Sequence, residues 1–138
     1  MASEAFSAKG TILAIGSDPI AEIKSIRGPS ESAQLLEVTS HDSEGNYREV
    51  IAGFLSGGEI AIEGNFIPGD TDGQVALHDA LQDRGLDSYT LTVPSTPETI
   101  FTFDGIVTAF ETSFPFDDVA SFSATITISG PVEWSSGT

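Results

Sequence analysis

A chain of 138 residues is long enough for one domain with a substantial core, and its 39% hydrophobic content argues against disorder throughout. The 21 acidic residues face 5 basic ones, for a formal net charge of −16. Such a surface disfavours specific binding to nucleic acid, where Lys and Arg must replace counterions, and attraction to anionic lipid.

Strand signals dominate from the start. Thr11–Ile15 and Ile20–Ile26 are short alternating runs split by the turn residues Ser17-Asp18-Pro19. Gly28-Pro29-Ser30-Glu31-Ser32 interrupts the pattern, and Leu35–Thr39 resumes it. Ser40–Gly58 is polar and rich in turn residues, an unusual length for a loop in a compact domain. Its Tyr47, Val50, Ile51, Phe54 and Leu55 argue against permanent disorder, so residues 40–58 read as an extended arm that packs on something, another copy of the chain being one option.

From Glu59 the alternation is clean, with Ile60, Ile62 and Phe66 on one face and Glu59, Ala61, Glu63 and Asn65 on the other. Pro68-Gly69-Asp70 stops this strand. The period then changes, and Ala76, Leu77, Ala80 and Leu81 form one helical stripe. Asp70 or Asp72 is placed to cap that helix by accepting hydrogen bonds from first-turn amides. Tyr89–Val93 is the next strand, ending at Pro94, followed by a turn over residues 95–98. Ile100–Phe110 alternates through Phe101, Phe103, Val107 and Ala109, with Gly105 as a candidate bulge. Phe114–Asp118 is a turn, and Phe122, Ala124, Ile126 and Ile128 point inward along the last strand, which Gly130-Pro131 is expected to end. Antiparallel strands with one helix imply a mainly β fold: a β-sandwich or split barrel with one flanking α-helix and a long loop, in a single domain over residues 1–138.

Little in the chain points to chemistry. His41-Asp42-Ser43 sets triad residue types side by side, but a triad is assembled by geometry and adjacent residues rarely converge on one point. His78 lies off the apolar stripe and reads as a solvated residue. Asp70-Thr71-Asp72-Gly73 opens like a calcium loop, yet no bidentate Glu follows at the required spacing. Glu59 with Glu63, and Asp117 with Asp118, are carboxylate pairs that nothing places across one cleft. Cysteine is absent, so thiolate ligands and disulfides are excluded. No catalytic, cofactor or metal residue is expected. The opening MASEAFSAKG has no basic-then-apolar leader pattern, and no run approaches the ~18 apolar residues of a membrane span, so a soluble protein made in the cytoplasm is expected.

The order of elements carries more than any one of them. GEIAIEGNFIPGD, GQVALHDAL and FTFDGIVTAFETSFPFDDVASFSATITISGP succeed one another over much of the chain, and LLEVTSHDSEGNYREVIAGFLSGGE precedes them. This series, from about Lys9 to Pro131, resembles the major tail tube proteins of long non-contractile-tailed, lambda-like phages. The resemblance implies a structural virion protein that self-assembles into stacked hexameric rings, through which DNA passes without specific binding. It implies partners too: further copies of the chain, a tape measure protein, a tail terminator and a distal tail protein.

By position in that family, residues 1–10 correspond to a flexible N-terminal arm and 40–58 to a loop reaching neighbouring rings, leaving 132–138 as a C-terminal tail. Glu59, Glu63 and Asn65 are then candidates to face the tube lumen. Lys9, Lys24, Arg27, Arg48, Tyr47 and Phe54 are candidates for contacts between subunits or rings; four of the five basic residues precede residue 50. Two other readings stand beside this one: a tube or hub component on the same fold, such as a distal tail protein or type VI secretion tube subunit, and a glycan-binding β-sandwich.

Overall fold

The fold is that of a computed structural model, which describes residues 9–39, 45, 47–95 and 98–137. His41-Asp42-Ser43 and most of the 1–10 arm lie outside these residues. In chain order the elements are β1 (Ile12–Ile15), β2 (Asp18–Pro19), β3 (Ile23–Arg27), β4 (Ser32–Glu37), β5 (Val50–Ser56), β6 (Glu59–Asn65), α1 (Gln74–Asp83), β7 (Asp87–Val93), β8 (Glu98–Ser113) and β9 (Ser121–Gly137). Seven strands form one antiparallel sheet in the order β2-β1-β7-β8-β9-β6-β3, and β4 and β5 form a separate hairpin.

The core follows the period-2 pattern. On β6, Ile60 and Ile62 are buried while Glu59 and Glu63 are exposed. On β9, Phe122, Ala124, Ile126 and Ile128 are buried in the same layer. Leu13, Leu91, Tyr89, Phe103 and Val107 continue it across β1, β7 and β8, and Leu77 and Ala80 of α1 close it from above. The sheet thus has one apolar face, covered by its own curl and by the helix. Tyr89 stacks on Phe103 at 5.8 Å between ring centroids, and its buried hydroxyl has no hydrogen-bond partner. Burial, with a smaller contribution from the Asp87 carboxylate, pushes this phenol well above the usual tyrosine range.

Three sequence expectations change. The strand begun at Ser121 does not end at Gly130-Pro131: Glu133 pairs with Thr102 and Ser136 with Thr99, so most of the expected C-terminal tail is strand. The ladder absorbs the interruption as a bulge, with two residue steps on β8 (Thr102 to Asp104) opposite four on β9 (Ser129 to Glu133). Gly130 takes φ 87° there, and Pro131, lacking an N–H, falls in the same unpaired stretch. Second, Gly105 is not a bulge. It pairs regularly with Ile128 and Asp87, and a Cβ there would lie 2.6 Å from Ile126 Cγ2, so glycine permits a close approach of strand and side chain. The bulge on β8 lies between Val107 and Ala109 instead.

The third change concerns residues 40–58. Their second half is β5, paired with β4 from Glu37–Val50 to Ser32–Ser56. The arm is therefore a hairpin. The β5 residues resemble loop in the sequence because both faces carry apolar side chains, which erases the alternation that marks a half-buried strand.

Candidate functional site

Three surfaces stand out: the sheet face opposite the core, a polar clip under the helix, and the hairpin.

Register sets the residues of the first. Cross-strand partners share a face, so Ser25, Glu63, Ser123 and Glu111 form one row across β3, β6, β9 and β8. Arg27, Ala61, Thr125 and Ala109 form the next, and Glu59, Thr127 and Ile106 the one after. Asp104 lies opposite Ser129 on the same face. Thr108, the extra residue of the β8 bulge, bonds the Thr127 hydroxyl at 3.2 Å and the Thr125 carbonyl at 3.3 Å. The face is therefore a field of hydroxyls carrying Glu59, Glu63, Asp104 and Glu111, with Arg27 at its β3 edge.

Glu111 does not follow from the sequence pattern, whereas Asp104 falls outward by simple alternation from Phe103. Strict alternation from Phe103 and Val107 would bury Ala109 and Glu111. The bulge at Thr108 shifts the parity by one, turning Phe110 towards the core layer, where it stacks on Phe122, and leaving Ala109 and Glu111 exposed. Asn65 differs from the two glutamates. Its Nδ2 donates to Glu22 Oε1 at 3.0 Å and its Oδ1 is enclosed without a partner, so the side chain is engaged with the β2–β3 turn.

The clip joins that turn to the helix. Gln74, first residue of α1, is 1% exposed. Its Oε1 accepts from the Ile67 N–H at 2.9 Å, and its Nε2 donates to the carbonyls of Ala21 at 3.0 Å and Asn65 at 2.9 Å. Asp70 Oδ2 accepts from the Gln74 N–H at 3.0 Å and from the Ala21 N–H at 2.9 Å. The N-cap position belongs to Gly73, and the carboxylate that reaches the first helical amide is that of Asp70. Two side chains thus tie the start of α1 to the end of β6 and to the turn before β3. In the sequence Gln74 is visible only as part of a motif; a polar residue on the buried side of the first helical turn is the available signal.

The hairpin has apolar side chains on both faces. Leu35 opposes Ala52 on one, and Leu36 opposes Ile51 on the other. Phe54 and Leu55 are 86% and 82% exposed, and Leu35, Tyr47, Val50 and Ile51 are exposed as well. Near its far end Arg48 Nε lies 3.3 Å from Glu37 Oε2, so this cation is paired within the subunit. Lys24 and Arg27 are exposed on β3, the edge strand, and Lys9 lies beside Lys24 across a shallow groove between the chain entering β1 and β3. The structure therefore separates these four basic residues, with Arg48 on the hairpin and Lys9, Lys24 and Arg27 at the β3 edge.

Among the described residues no group of three or more His, Asp or Glu side chains could hold a metal ion, and no helix is long and apolar enough to cross a membrane.

Comparison with known proteins bears on the whole chain. No curated protein matches it in sequence. It is similar in structure to the tail of an empty gene transfer agent particle solved by helical refinement with C6 symmetry, at a TM-score of 0.80 and 22% identity over 96% of this chain and 100% of that one. It is similar also to the sheath/tube terminator structure of the extracellular contractile injection system PVC, at 0.75 and 17% over 99% and 100%. The SPP1 tail tube gives 0.67 and 14% over 92% and 76%. The family model of the lambda phage tail tube protein matches residues 12–135. That span takes in the helix and all or nearly all of every strand just described, and the chain accordingly belongs to the lambda phage tail tube protein family, as a structural subunit of a virion tail.

Proposed function

We propose that copies of this chain form six-membered rings that stack into a tube, with the hydroxyl and carboxylate face of the sheet turned to the lumen and α1 turned outward. The observation that carries this reading is the register itself, which gathers Glu59, Glu63, Asp104 and Glu111 on the one sheet face the core does not use. DNA passing along such a wall meets carboxylates, whose like charge repels the phosphate backbone, and hydroxyls, which bring no positive charge to retain it. Asn65 drops out of the lumen set because its amide is held by Glu22. Six-fold rings accord with the C6 symmetry of the similar gene transfer agent tail.

The hairpin is the contact to other copies in this reading. A two-stranded hairpin alone is marginal in water, and exposed apolar patches of this kind mark interaction surfaces. Tyr47 and Phe54 belong to that contact, and Lys24, Arg27 and Lys9 serve the β3 edge, where a neighbouring subunit would approach. The tape measure protein, tail terminator and distal tail protein are partners at the lumen and the two tube ends. The role is structural and uses no cofactor.

Electron microscopy of the purified protein tests this, followed by reconstruction of any tube. Long tubes with the β6–β9–β8 face on the lumen are expected. Tubes lined instead by the helix side would overturn the assignment of faces. A second reading, a terminal ring in place of a repeating one, draws on the likeness to the PVC sheath/tube terminator structure. It predicts single rings that never extend.

A further inference from the structure

We infer that a strained turn and a bulge at the start of β3 act together to turn Lys24 and Arg27 to the wet side of that edge strand, as a seat for carboxylates of a second copy, with Asp70, Gln74 and Asn65 as positioning residues. This rests on the stacked-ring reading and adds to it the machinery that shapes one subunit contact.

The turn is set against the preference of its own residue. Glu22 takes φ 53°, a left-handed conformation that a residue with a Cβ adopts only at a cost. It is held from two sides. From the start of the helix, Asp70 Oδ2 accepts from the Ala21 N–H at 2.9 Å, and Gln74 Nε2 donates to the Ala21 carbonyl at 3.0 Å. From the end of β6, the Asn65 N–H donates to the Glu22 carbonyl at 3.1 Å and Asn65 Nδ2 to Glu22 Oε1 at 3.0 Å. Gly64 completes the fit, since a Cβ there would collide with the Glu22 carbonyl and lie 2.9 Å from Ile23 Cα. Strain fixed by this many partners marks a place where the geometry is used.

The chain passes from the turn directly into the bulge. Ile23 pairs with Gly64 and Ser25 with Glu63, so Lys24 is an extra residue on β3. Strict alternation from Ile23 would turn Ile26 to the wet face and Arg27 to the core. With the bulge, Ile23 and Ile26 both pack on the core, while Lys24, Ser25 and Arg27 are exposed. Two cations thus stand about 10 Å apart along the edge, at ~3.3 Å per residue.

Neither is neutralised within the subunit. Arg48 and Glu37 form the one ion pair among the described residues. In a chain with 21 acidic and 5 basic residues, a second copy brings carboxylates in excess, so an edge with two open cations complements it. Without them, Glu59 and Glu63 on adjacent β6 would present like charge to that copy, which repels it.

The test measures the concentration needed for tube assembly by sedimentation, with circular dichroism confirming that each variant is folded at the assembly temperature. Lys24→Gln with Arg27→Gln, both at exposed sites, should leave monomer unfolding unchanged and raise that concentration about tenfold. Added NaCl should weaken assembly of the parent and affect this variant less. Glu22→Val and Glu22→Gly both remove the partner of Asn65, but only glycine keeps the left-handed turn at no cost. The valine variant should assemble poorly and the glycine variant nearly as well as the parent. In the valine background the Lys24 and Arg27 substitutions should add little, because the cations are already misplaced. Unchanged assembly on loss of the two cations overturns the inference. Full additivity with Glu22→Val, or equal assembly of the valine and glycine variants, shows a turn that serves only the fold and overturns it too. Failure of the parent chain to form tubes would instead overturn the stacked-ring reading itself.

Discussion

Replacing Gln74 tests whether hydrogen bonding or packing sets the position of α1. The side chain satisfies the Ile67 N–H and the Ala21 and Asn65 carbonyls from a site that is 1% exposed. Leaving a buried donor or acceptor without a partner costs about 1–3 kcal/mol each. In Gln74→Ala the space vacated admits water to these groups, so the low end applies, and three bonds give about 3 kcal/mol. That is a large part of the ~5–15 kcal/mol that holds a domain together. Gln74→Met fills the same volume but brings no polar atom and keeps water out, so it should cost at least as much as alanine. Urea unfolding followed by circular dichroism, below the assembly concentration, reads both as a fall in midpoint at constant slope. Should Gln74→Met come within ~0.5 kcal/mol of the parent, the side chain acts by packing and the hydrogen-bond argument fails.

Tyr89→Phe removes a buried hydroxyl that has no partner, so stability at neutral pH should hold or rise slightly in the same assay. The raised folded-state pKa means its contribution is fully present below the unfolded value of 10.0 and is lost as pH climbs above it. Alkaline unfolding should therefore begin at higher pH in Tyr89→Phe, and an unchanged onset would show that other groups control it. Gly105→Ala drives a methyl to within 2.6 Å of Ile126 Cγ2 and should cost about 1–3 kcal/mol through strain in the β8–β9 ladder, measured as a lower thermal midpoint. Arg48→Glu breaks an exposed ion pair with Glu37, worth less than about 1 kcal/mol to the monomer. If the hairpin serves assembly, its effect should appear in tube length by microscopy and not in monomer unfolding.

Much of this molecule is legible in its sequence, for a physical reason. Wherever one sheet face is buried and the other wet, period-2 alternation must be written into the chain, and β6 and β9 carry it openly through Ile60, Ile62, Phe122, Ala124, Ile126 and Ile128. The helix declares itself the same way through Leu77 and Ala80. Glu59 and Glu63 can be assigned to the non-core face from that alternation alone. What alternation cannot encode is where it breaks. The Thr108 bulge turns Glu111 out beside Glu63, and the Gly130-Pro131 bulge lets β9 run on to pair with the start of β8. Both depend on which residue of a partner strand lies opposite, a relation between distant parts of the chain. Strand β5 escapes for the opposite reason, since a strand apolar on both faces has no period to read, whereas its partner β4 overlaps the run read at Leu35–Thr39. Which side chains avoid water is thus written along the chain. Which of the others stand together is settled by tertiary pairing, because register is a property of pairs of strands and not of either one.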